Sequence, residues 1–159
     1  MGWLSRLFSR KGVPQTTAPL DAAWQKRLDK IRVRLNSLFS ELETDENTSR
    51  FVTEFVLRAQ REVMSGRPSR FRAEDTPERL ASEAALQGFL DPEQQGAKLG
   101  GGLQDDSLMR ILVHYARQGD TGAANAVRHC AAGRLKKRSA GKGVEEALKM
   151  ARQYAESNQ

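Results

Sequence analysis

The side chains able to do chemistry are few and badly spaced for it. The chain has one cysteine, Cys130, and two histidines, His114 and His129. A nucleophilic cysteine needs a base within hydrogen-bond reach. His129 is its immediate neighbour, but adjacent side chains on a helix diverge by about 100°, so the two do not pair. Cys130 falls on an apolar stripe and reads as a small core residue. His114 projects towards Arg110 and Arg117 on the polar side of its helix, and His129 points away from the apolar face of its own. Two histidines and one cysteine at these spacings do not compose a zinc site. Gly141-Lys142-Gly143 resembles a fragment of a phosphate loop. However, Lys136 stands where the first glycine is required, and Gly143 stands where Ser or Thr must follow the lysine. The carboxylates are scattered over helix starts and polar faces, without the inward-facing Glu-x-x-His pattern of di-iron bundles. The expectation is a non-enzymatic chain with no catalytic residue, no metal and no cofactor.

Charge and amphipathicity carry more. The formal charge of +6 is uneven. Residues 1–20 carry three basic side chains and no acid, residues 76–106 two basic and six acidic, and residues 107–159 ten basic and four acidic. Such an excess favours an anionic partner without choosing among membrane, nucleic acid and acidic protein. Residues 2–11 read as a short amphipathic helix: Trp3, Leu4, Leu7 and Phe8 share one arc, Ser5 and Ser9 lie opposite, and Arg6 and Arg10 flank. With Lys11 these are the expected membrane contacts of a reversible interfacial anchor. The competing expectation is that the segment folds back on the domain.

Burying the four apolar side chains yields ~6–12 kcal/mol, three cations near an anionic surface add ~3 kcal/mol, and ordering the segment costs ~10–15 kcal/mol. These nearly cancel, so a second contact is needed. The candidates are the row Lys26, Lys30 and Arg34, spaced four residues apart with Arg27 alongside, or self-association. Myristoylation is not expected, because its motif wants Ser or Thr where Arg6 stands. Export is not expected either, since Arg6 and Arg10 interrupt the apolar stretch that a secretory signal requires. Inner-face peripheral membrane attachment in the cytoplasm is the leading location. The acid-free, basic, Ser-containing start also fits a mitochondrial presequence.

Two further basic clusters form the alternative reading, a nucleic-acid-associated protein gripping phosphates. One is Arg67, Arg70 and Arg72 around Phe71, and the other is Arg134, Lys136, Lys137, Arg138 and Lys142. No recognition helix follows a tight turn, so sequence-specific reading of DNA is not expected. A structural subunit of a larger assembly is the third reading.

The elements positioning these residues are helices. The chain has 17 Leu and 19 Ala against eight Val and two Ile, a balance that favours helix over strand. No run approaches the roughly 18 apolar residues of a membrane-spanning helix. The fold class is all-α: a small bundle of about six helices with a separate N-terminal amphipathic helix. The organisation is 1–12 amphipathic helix, 13–20 tether, and 21–159 one helical domain with a flexible break near 96–104 at Gly100-Gly101-Gly102. From Asp21, the residues Trp24, Leu28, Ile31, Leu35, Leu38 and Leu42 recur at spacings of 4, 3, 4, 3 and 4. This is a heptad seam of about two and a half repeats, a packing seam of the bundle or a route to a homo-oligomer.

A second helix ends near Ser65, with Val52, Phe55, Val56, Ala59 and Val63 inward and Phe51 at the edge. Thr76 caps the next helix with Pro77 at its first position. Asp106 is expected to cap a fourth helix with Leu108, Ile111, Leu112, Tyr115 and Ala116 inward. Gly119-Asp120 separates it from an Ala-rich fifth helix ending near Ala132. A basic loop over Gly133–Gly143 leads to a last helix from Val144 to about Glu156.

Within this last third, Tyr115-Ala116-Arg117-Gln118-Gly119-Asp120 followed by Ala123-Ala124 resembles the helix–turn–helix punctuation of Sel1-like and tetratricopeptide repeats. Glu146-Ala147-Leu148-Lys149-Met150-Ala151 is similar to the start of a following repeat helix. The resemblance covers residues 107–156. The chain departs from the pattern in its long basic loop and in having Arg128 where a bulky residue is expected. The resemblance implies a helical surface that binds protein, and no chemistry. Together these readings point to a helical adaptor touching an anionic membrane surface and binding a protein partner.

Overall fold

The computed structural model describes residues 22–66, 68–72, 74–91, 102–134 and 143–158. Among these, six helices and no strands are found: α1 (Ala22–Glu41), α2 (Glu46–Met64), α3 (Pro77–Leu90), α4 (Asp105–Arg117), α5 (Thr121–Ala131) and α6 (Val144–Ser157). The N-terminal helix, the tether and the Gly-rich break expected from sequence lie outside the described residues, apart from Gly102–Gln104 at the end of the break. No described helix is long and apolar enough to cross a membrane.

The helix boundaries follow local chemistry. Asp45 accepts the backbone N–H of Thr48 at 3.2 Å and starts α2. Thr76 accepts that of Arg79 at 3.1 Å, with Pro77 following as the sequence anticipates. Asp120 accepts that of Ala123 at 2.9 Å and starts α5. Each satisfies a donor that the first helical turn leaves orphaned.

The start of α4 is built differently from the expectation. The helix begins two residues earlier than a cap at Asp106 would place it, at Asp105 after Gln104, and no side chain caps it. Its entry is fixed by tertiary bonds instead. The Gln104 N–H donates to Thr48 Oγ1 at 3.3 Å, and Ser107 Oγ accepts from the Asp45 N–H at 3.2 Å, which ties the starts of α2 and α4 together. Asp106 instead pairs with Arg110 one turn on, at 3.2 Å.

Successive helices pack on one another, α1 on α2, α2 on α3 and α3 on α4, while α4, α5 and α6 each pack on the other two. The middle of the molecule is α4, whose Leu108, Met109, Ile111 and Leu112 are fully buried. Close approach of α3 to its neighbours needs small residues, and Ala81, Ala84 and Ala85 are fully buried there. At Gly88 a β-carbon would come within 3.1–3.2 Å of Leu108, Phe51 and Leu103, so the three side chains close over a site only glycine fills without displacement.

The seam of α1 packs intramolecularly. Leu28, Ile31 and Leu35 are buried, but the fourth buried residue is Phe39, while Trp24, Leu38 and Leu42 lie half-buried at the edges. The reason is geometric. A straight helix drifts about 20° per heptad from a strict seven-residue repeat, whereas eleven residues nearly complete three turns. Phe39, eleven residues after Leu28, therefore stays on the core face, and Leu42 turns away from it. In α2 the stripe is broader than the periodicity suggests: Phe51 and Leu57 are buried with Val52, Phe55, Val56 and Ala59, while Val63 is half-buried. Arg128 of α5, the residue out of keeping with a repeat pattern, lies over the Tyr154 ring at 5.6 Å and donates to the Asn158 carbonyl at 3.2 Å, closing α5 on α6.

Candidate functional site

One exposed basic feature of the described residues is the row on α1. Lys26, Arg27, Lys30 and Arg34 are all exposed. Because α1 packs chiefly on α2, its flank towards the start of α3 is left as an open groove of about 570 Å³. Lys26, Arg27, Lys30 and Arg34 form one wall, Ile31 the floor, and Thr76, Pro77 and Glu78 the opposite wall. The groove adjoins a second cleft of about 550 Å³ that shares Arg34, Thr76 and Glu78. This cleft runs between Leu35 and Leu38 of α1 and the α4–α5 corner at His114, Tyr115 and Asp120.

Arg34 reaches Glu78 at 3.3 Å across the junction of the two hollows. Both side chains are more than half exposed, so this bridge contributes at most about 1 kcal/mol. Behind it Arg79 holds Asp75 at 3.3 Å and Glu83 at 3.0 Å. The hydrogen bond with Glu83 is the main reason the Arg79 guanidinium binds its proton more tightly than usual. Lys26, Arg27 and Lys30 differ, because no carboxylate lies within ion-pair distance of them among the described residues. Arg27 rests over the Trp24 ring at 5.3 Å. The one nearby acid on α1, Asp29, accepts from Gln25 at 3.3 Å. The groove thus sets three cations with no carboxylate partner among the described residues beside the Arg34–Glu78 pair, over buried Ile31.

In the second cleft Tyr115 is 3% exposed, and the His114 ring meets it edge-on at 5.0 Å. Burial pushes the Tyr115 hydroxyl well above its ordinary value. Glu78 and Asp120 push the same way, and Arg34 opposes them. A raised folded-state value means that the phenolate is disfavoured in the folded protein. The associated stability is whole below the unfolded value of about 10 and declines above it by up to about 1.4 kcal/mol per pH unit. We therefore expect Tyr115→Phe to lose less stability than the parent between pH 9 and pH 11, by about 1 kcal/mol, in urea titrations. Equal losses would remove the assignment.

No family model, no curated protein and no solved structure matches this chain. The groove is therefore read from its own chemistry.

The remaining sequence candidates are dispersed. Arg70 donates to Glu83 at 2.7 Å and lies over Phe71 at 4.5 Å, so it is engaged within the fold. Arg72 is exposed, and its backbone N–H donates to Asp75 at 2.9 Å. Arg134 is exposed beyond the end of α5. Trp3, Leu4, Arg6, Leu7, Phe8, Arg10, Lys11, Arg67, Lys136, Lys137, Arg138 and Lys142 lie outside the described residues. Cys130 is buried and His129 exposed, as the helical pattern anticipates. Among the described residues no group of three His, Cys, Asp or Glu side chains is placed to hold a metal ion.

Sequence reasoning missed Glu78, Tyr115 and Asp120 as neighbours of the α1 row. Glu78 lies 44 residues beyond Arg34, and no local pattern signals their meeting.

Proposed function

We propose that this chain is a non-enzymatic helical adaptor, held peripherally at the inner face of a membrane by its first residues and presenting a helical groove to a protein partner. The observation that carries this reading is the position of Lys26, Arg27 and Lys30. Three exposed cations without acidic partners among the described residues line a concave surface on the first described helix. They follow closely on the sequence Trp3-Leu4-Ser5-Arg6-Leu7-Phe8. An amphipathic segment with three cations is close to break-even as a lipid anchor, so an adaptor of this kind attaches reversibly and gains affinity when its protein partner is held at the same surface.

Co-sedimentation with phosphatidylserine-containing vesicles tests the anchor. The full chain is expected to partition at least tenfold more strongly than one lacking residues 1–12. Equal partitioning of the two would remove the membrane element of the proposal.

A further inference from the structure

The groove along α1 has the chemistry of a peptide site, an inference that deepens the adaptor reading and rests on it. We infer that it takes an acidic, partly apolar segment of the partner protein, with carboxylates against Lys26, Arg27 and Lys30 and an apolar side chain against half-buried Leu38.

Three observations select this occupant. The first is charge complementarity: the α1 wall carries cations with no carboxylate partner among the described residues. The second is polarity along the groove. Its cationic end at Ala23–Lys30 passes, beyond Arg34, into a cleft where half-buried Leu38 offers an apolar contact among Thr76, His114 and Gln118, above the buried Leu35 and Tyr115. A segment that is acidic at one end and apolar at the other matches both ends in a single register. From Ala23 to Leu38 the helix rises roughly 22 Å at about 1.5 Å per residue. About seven extended residues span that length at about 3.3 Å each.

The third observation is the opposite wall, where Glu78 faces Arg34 at 3.3 Å and Asp120 lines the cleft. A nucleic-acid strand carries a charge on every nucleotide and meets repulsion there. A bilayer surface is too broad to enter a concavity between two helices. A peptide places its few carboxylates on one wall only. Because the Arg34–Glu78 bridge is weak and exposed, an incoming carboxylate exchanges with Glu78 at Arg34 at little cost.

Selection from a phage-displayed library of random 12-residue peptides on the full chain tests this inference. The expected outcome is enrichment of sequences combining several Asp or Glu residues with at least one apolar residue. A fluorescein-labelled representative should bind the parent at least tenfold more tightly than K26E/K30E, with affinity falling as salt rises. Both substituted lysines are exposed, and unchanged helicity by circular dichroism confirms that the variant folds. Failure to enrich, a neutral or basic consensus, or equal binding by parent and variant would overturn the inference.

Vesicle binding of the same variant separates the two proposals. If K26E/K30E loses vesicle binding but retains the peptide, the row is a lipid contact; the groove inference falls and the adaptor reading stands. If removing residues 1–12 leaves vesicle binding unchanged while the peptide still depends on Lys26 and Lys30, the membrane element falls and the groove stands.

Discussion

Replacing Leu112 with alanine is expected to lower the free energy of unfolding by about 3–5 kcal/mol, the upper part of the range for buried leucine truncations. Leu112 is fully buried in α4, the helix that packs on α3, α5 and α6 together. The cost of such a cavity depends on how far the surroundings collapse into it, and neighbours on three sides leave α4 little freedom to move. Set against the roughly 5–15 kcal/mol that holds a domain folded, the loss is large. Urea denaturation measures it as a lowered midpoint at unchanged slope. Val33→Ala provides the contrast: Val33 is 67% exposed on α1, and a change within about 0.5 kcal/mol is expected there. A loss below about 1 kcal/mol at Leu112 would contradict the central place of α4.

The second large effect is expected at Gly143, which starts α6. Its φ of +76° lies in the left-handed region, where an alanine costs about 1–2 kcal/mol. Space is also short: a β-carbon there would stand 2.5 Å from Asp106 Oδ1 and 2.8 Å from its Cγ. Asp106 is drawn to Arg110 at 3.2 Å, so relief requires moving an ion-paired side chain. Crowding of this kind adds about 1–3 kcal/mol. Gly133 separates the two causes, because its φ is nearly the same, +74°, and a β-carbon there meets nothing within 4 Å among the described residues. Gly133→Ala should therefore show the backbone cost alone, and Gly143→Ala the larger loss. The difference should shrink when Asp106→Ala is combined with Gly143→Ala. Equal losses at the two glycines would show that the closeness of α6 to α4 does not constrain the fold.

The helical architecture was legible from sequence because its signals are local. Thr76-Pro77 and Gly119-Asp120 are punctuation whose chemistry acts within one turn, and the helices they open are found where expected. The start of α4 lies two residues before the one its local sequence suggests, because its anchors, Thr48 and Asp45, come from the start of another helix, and no local pattern at Asp106 signals them. The α1 seam was legible as a core face, but a seven-residue template places Leu42 where the straight helix places Phe39. The cationic row was legible as a row and not as a wall. Its concavity depends on α1 and α3 both packing on α2, an arrangement built from contacts distant in sequence. The buried position of Tyr115 beside Glu78 and Asp120 has the same long-range origin.

Tryptophan emission tests directly the proposal that the first residues seek lipid. The chain has two tryptophans, Trp3 and Trp24, so Trp24→Phe leaves Trp3 as the sole reporter. On titration with phosphatidylserine-containing vesicles, Trp3 emission is expected to shift to shorter wavelength and to be quenched by bromine-labelled acyl chains. It should not respond to vesicles of neutral lipid alone. Emission already blue-shifted in the absence of vesicles and indifferent to both lipids would show that Trp3 is buried in the protein's own interior, and the adaptor account would lose its anchor.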